Sequence, residues 1–75
     1  MIKIAKYKND KGALLVIKQT RNGNLIGEVF SNGIEKRGKW DMRATFKTDD
    51  GDATEARVCE YFKFPYPNAF WKRWA

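Results

Sequence analysis

Histidine is absent from this chain, cysteine occurs once and proline twice. Without histidine, the usual general base near neutral pH is missing. No nucleophile motif surrounds Cys59 or any serine, so the chain is not expected to be an enzyme. Cys59 has no second thiol to pair with in the chain and no histidine to share a metal with, so neither disulfide nor zinc can staple the fold. No cofactor is expected. A solitary thiol suits a reducing compartment, and the protein is read as cytoplasmic. Long apolar runs are also missing. The longest, Ala13 to Ile17, is too short for a signal peptide or a membrane span, so no membrane contact is expected.

Aromatic residues and positive charge are what the chain does have. A domain of 75 residues buries only about 60% of its unfolded surface, which leaves little stability to spare. The apolar supply comes from three Trp, three Tyr and five Phe, each hiding roughly 150 to 250 Å² when fully inside. That is enough for one small β domain over residues 1–75. Fifteen Lys and Arg against nine acids give a net charge of +6 and favour polyanionic partners, through release of counterions from phosphates. The excess is uneven: residues 1–48 hold eleven cations against four acids, residues 49–60 five acids against one Arg.

Turn signals recur at Asn9-Asp10-Lys11-Gly12, Arg21-Asn22-Gly23-Asn24, Asn32-Gly33 and Asp49-Asp50-Gly51-Asp52, and four such marks predict five strands. Residues 13–20 are apolar at consecutive positions, as a central strand covered on both faces would be. Gly27, inside the strand at 25–31, marks a bulge or a close approach. Residues 39–47 alternate, with Trp40, Met42, Ala44 and Phe46 inward and Lys39, Asp41, Arg43, Thr45 and Lys47 outward. Residues 55–64 read the same way, with Ala56, Val58, Phe62 and Phe64 inward and Glu60 out of pattern. Pairing these two strands with partner numbers summing to 102 sets Lys47 opposite Glu55 and avoids an Arg43–Arg57 clash. Pro65-Tyr66-Pro67 ends the last strand, and Asn68 would cap a short helix over 69–74. The expected fold is mainly β, a curved five-stranded antiparallel meander or partly closed barrel, with a short C-terminal α-helix.

Two surfaces carry the functional reading. Lys36, Arg37, Lys39, Arg43 and Lys47 come from one continuous stretch, and the last three share one side of a strand. Arg57 and Tyr61 on the neighbouring strand would add a charge and a stacking platform, the combination by which sheet-based binders hold single strands. The tail supplies Trp71, Lys72, Arg73 and Trp74, with Phe70 and Trp74 folded as a lid and Trp71 left to anchor a partner. Asp49, Asp50, Asp52 and Glu55 do not follow the spacing of a calcium loop. They are read as a solvated hairpin tip. Cys59 falls on the polar face as a plain small side chain.

The strand-then-helix order is loosely similar to that of single-strand-binding transcription cofactors, although no motif transfers position by position. The paired aromatic motifs of cold-shock modules are absent. The residues therefore support a nucleic-acid-binding module, DNA or RNA, that prefers single strands. The alternative is a small interaction or inhibitor protein of the phage or mobile-element accessory type. It would dock on a host protein through the aromatic tail or a free edge at residues 2–8, and a homodimer is a further expectation.

Overall fold

Asn9 closes the first turn by accepting the N–H groups of Lys11 (3.1 Å) and Ala13 (2.9 Å) on its side-chain oxygen. That turn joins strand β1 (Ile2–Lys8) to β2 (Leu14–Gln19). A second turn, in which Gly23 takes φ +88°, joins β2 to β3 (Leu25–Phe30); only glycine enters this left-handed region without strain. Strand β4 (Met42–Phe46) follows an eleven-residue loop, helix α1 (Glu55–Phe62) comes next, and β5 (Phe70–Arg73) ends the fold. The computed structural model describes residues 1–73. The five strands form one open antiparallel sheet in the order β4-β3-β2-β1-β5.

The mainly β fold of five antiparallel strands with one short helix is as the sequence implies, and β2 is central. The sheet is not closed. The helix and the last strand, however, exchange places. Residues 55–62 are helical because Glu55, Val58, Cys59 and Phe62 recur at i, i+3, i+4 and i+7, and the last three are buried on one side. Thr54 caps that helix by accepting the N–H of Arg57 (3.2 Å), and Lys63 ends it in the left-handed region. Glu60, which disturbed the two-residue period, simply points outward. The expected hairpin between 39–47 and 55–64 does not exist, since β4 pairs with β3 alone, as Leu25 opposite Phe46 and Gly27 opposite Ala44.

The tail is extended rather than helical. Its residues complete the outer side of β1, with Ala5 opposite Arg73 and Tyr7 opposite Phe70. The edge expected at residues 2–8 is thereby covered. Trp74 lies outside the described residues.

Helix α1 crosses one face of the sheet and supplies the cover expected of the tail. Beneath it lie Ala5, Tyr7, Leu15, Ile17, Leu25, Val29 and Phe46, together with Val58, Cys59 and Phe62 from the helix itself. Gly27 is the close-approach site: a Cβ there would sit 2.6 Å from the Phe62 ring and 2.8 Å from Val58. Cys59 is not on a polar face but fully buried. Burial, then the Glu55 carboxylate, pushes its thiol up to about 12, so it is inert at neutral pH.

Glu55 fastens the last strand to the helix. It accepts a 2.5 Å hydrogen bond from the Tyr7 hydroxyl and a two-pronged contact from the Arg73 guanidinium. Burial raises the Glu55 pKa, but the bonds from Arg73 and Tyr7 outweigh it and leave the carboxyl below its ordinary value.

Candidate nucleic-acid interface

Alternation along the strands sends the other half of the side chains to the face away from α1. Leu14, Val16 and Phe30 form a small buried cluster there, and Ile26, opposite Lys18, is buried on the same side. Around them the face is charged. Glu28, 2% exposed, is the single buried charged residue among those described. Its carboxylate takes Lys18 on one oxygen (2.9 Å) and Arg43 on the other (3.2 Å). Leaving it unpaired in this position would be costly, so both cations are held in place by it.

A second carboxylate repeats the arrangement. The loop of residues 31–41 leaves β3, and Glu35 within it reaches Lys3 (2.5 Å) and Lys6 (2.6 Å) of β1. The loop must therefore span this face of the sheet. Burial raises the Glu35 pKa, but the bonds from Lys3 and Lys6 outweigh it, and the net shift is downward. Each carboxylate is thus matched to two cations, and each cluster keeps one surplus positive charge.

Between the clusters runs a groove of ≈ 430 Å³ bounded by Lys3, Lys18, Glu28, Arg37, Trp40 and Arg43. Arg37 is exposed and has no carboxylate partner among the described residues. Tryptophans stand at both margins of the sheet face, of which Trp40 alone lines the groove itself. Trp40 lies against the Arg43 guanidinium, 4.8 Å from its ring centroid, beside β4. Trp71 lies 5.1 Å from the Lys8 ammonium and 5.7 Å from that of Lys6, on β5. A register shift in β5 between the partners of Lys6 and Tyr7 turns Trp71 to this side, while Phe70 packs edge-on against Tyr7 at 5.6 Å on the other. Four strand spacings separate the margins, about 19 Å.

The residues proposed from the sequence are split between two faces. Arg37 and Arg43 border the groove, and the exposed Lys36 and Lys39 flank it on the same loop. Lys47 follows β4 into the acidic turn, where its carbonyl accepts the N–H of Asp50 and of Asp52, both at 3.2 Å. Arg57 and Tyr61 lie on α1, across the sheet. There Arg57 is held between Asp52 (3.4 Å) and Glu60 (3.1 Å), and Tyr61 packs edge-on against Phe46 at 5.3 Å. The continuous track through Arg43, Arg57 and Tyr61 is therefore not formed, and Arg43 itself is matched to an acid.

Of the tail residues, Trp71 is 55% exposed on the groove side, Lys72 pairs opposite Lys6, and Arg73 serves the Glu55 contact. The acids at 49–55 diverge, Asp52 towards Arg57 and Glu55 towards Tyr7 and Arg73.

Lys3, Lys6, Lys8, Lys18 and Trp40 belong to the groove face although sequence reasoning left them out. The sequence pattern offers residues 2–8 as a free edge and gives their lysines no binding role, and the two-residue period places Trp40 in the core. The bend at Asp41, whose N–H bonds the Val29 carbonyl at 2.8 Å, breaks that period before β4 begins. No helix among the described residues is long and apolar enough to cross a membrane. Comparison with known proteins gives no match to any family model, curated protein or solved structure.

Proposed function

We propose that the chain is a non-enzymatic module that binds single-stranded nucleic acid across the face of its sheet opposite α1, in the cytoplasm. One observation carries the reading. Among the described residues, seven cations, Lys3, Lys6, Lys8, Lys18, Arg37, Arg43 and Lys72, share that face with the buried or half-buried carboxylates Glu28 and Glu35, and an exposed tryptophan marks each margin. The predominance of cations on this face supports contact with a phosphate chain, and the indoles can stack on bases whatever their identity. A strand laid across the sheet would meet both.

The test compares two substitutions of equal charge on opposite faces. Binding of a short oligothymidylate is followed by tryptophan fluorescence at several salt concentrations. Arg37→Glu is expected to weaken binding several-fold to tenfold and to flatten the slope of log K against log salt by about 0.7, the contribution of one single-strand phosphate. Lys63→Glu, at the end of α1, is expected to stay within about twofold of the parent. Equal losses would mean that only the overall charge matters. No response even at low salt would remove the reading and favour a protein partner at the open edge of β4, where Met42 is 49% exposed.

A further inference from the structure

The Glu35 carboxylate is seated as a bound oxyanion would be. Each of its oxygens takes a different lysine, Oε2 from Lys3 and Oε1 from Lys6. It arrives from a loop rather than from the sheet. Among residues 34–37, Glu35 is drawn in while Ile34, Lys36 and Arg37 are exposed. Gly33 and Gly38 bracket the segment with φ of +78° and +74°, and a Cβ at Gly38 would meet nothing within 4 Å, so the backbone has room at that end. The hydrogen bonds at the loop's base, Ser31 to Asp41 at 2.7 Å and Gly33 to Phe30 at 2.9 Å, lie outside the segment that carries Glu35, and those within it, Ile34 N–H to Asn32 and Lys39 N–H to the Lys36 carbonyl, both at 3.0 Å, stay inside the loop and do not tie it to the sheet.

We infer that Lys3 and Lys6 form a phosphate site for the nucleic-acid chain, and that Glu35 is an internal occupant which the ligand displaces. The inference rests on the proposed function and adds the position of the phosphate and the competition for it. Lys6 is also one of the two cations over the Trp71 ring. A phosphate on Lys3 and Lys6 therefore places the neighbouring base at Trp71, so the pair of subsites suits a nucleotide unit and not a bare polyanion. Displacement exchanges one carboxylate for one phosphate on the same two lysines, which makes the net gain small. The loop thereby tempers affinity without abolishing it.

Glu35→Gln keeps the shape and removes the charge. Oligothymidylate binding is measured for the parent, for Glu35→Gln, and for Lys3→Gln/Lys6→Gln with and without Glu35→Gln, each checked for folding by circular dichroism and thermal melting. The expected result is a threefold to tenfold gain from Glu35→Gln, with a salt slope steeper by about 0.7. That gain should vanish when both lysines are glutamine. If Glu35→Gln melts appreciably earlier, Lys36→Gln with Glu35 retained gives the comparison for loss of charge on the loop, and it should weaken binding slightly. A parent that binds while Glu35→Gln binds no better, or a gain that persists without the lysines, overturns the internal-occupant inference and leaves the function standing. Failure of both parent and Glu35→Gln to bind at low salt overturns the function itself.

Discussion

At the scale of single residues, Gly27 does the most with the least. It lies opposite Ile17 and Ala44 in the sheet, and its missing side chain is the space that Phe62 and Val58 occupy. An alanine in a strand would ordinarily be favoured over glycine by a few tenths to about 1 kcal/mol through the unfolded chain. Here the added methyl must displace a ring and a branched side chain, which costs roughly 1 to 3 kcal/mol. The second effect is larger. Gly27→Ala is therefore expected to lower the melting temperature by about 4 to 20 °C, and an unchanged or raised value would show that the helix is not seated there. A close approach at Gly27 was legible in the sequence, because an isolated glycine in an apolar strand has few other uses. The inertness of Cys59 was not, since it depends on which period the segment follows.

At the scale of elements, the segment 55–64 shows how two periods can fit one sequence. Val58 and Phe62 satisfy both the strand and the helix pattern, and Ala56 and Phe64 favoured the strand. One deciding signal was present in the sequence, Thr54 as a cap ahead of Val58, Cys59 and Phe62 at helical spacing; the structure then buries Val58 together with Cys59, which a strand cannot achieve on one face. The tail was misread for a different reason. Its β pairing is tertiary, dictated by the edge that β1 offers and by the Arg73 bridge to Glu55, neither of which is local in the chain.

That bridge carries a pH prediction. Glu55 and Glu35 have pKa values lowered in the fold from 4.5, so the stability they contribute is present above that pH and is lost as pH falls through the folded values. Tyr7 and Cys59 are raised, by burial first, from 10.0 and 9.0. Their contribution is full below those values and is lost as pH rises beyond them. Thermal melts should give a plateau from roughly pH 5 to 9 with a fall on either side. Glu55→Gln should lower the plateau and shallow the acid limb, and an acid limb of unchanged steepness would deny the carboxylate this role.

At the scale of the whole molecule, one face of the sheet is packed under α1, and the other is crossed by the loop of residues 31–41 and carries the cations. The net charge of +6 already pointed to a polyanion, and the cationic stretch from Lys36 to Lys47 supplied part of the right surface. What could not be read was which side each element would take. Placing 55–62 in the sheet brought Arg57 and Tyr61 next to Arg43, whereas the helix carries them to the far side. The lysines of β1 then replace them, because the order β4-β3-β2-β1-β5 spreads one basic face from Trp40 to Trp71. The acids on this face do not cancel it. They fix Lys3, Lys6, Lys18 and Arg43 in place and leave the surplus positive.

Mapping the contact residue by residue tests this account most directly. In an amide and indole NMR titration with oligothymidylate at low salt, the indole N–H groups of Trp40 and Trp71 and the amides of Lys3, Lys18 and Arg37 should shift together, while Arg57 and Tyr61 stay in place. Shifts concentrated on α1, or none on the face that holds Glu28, would contradict it.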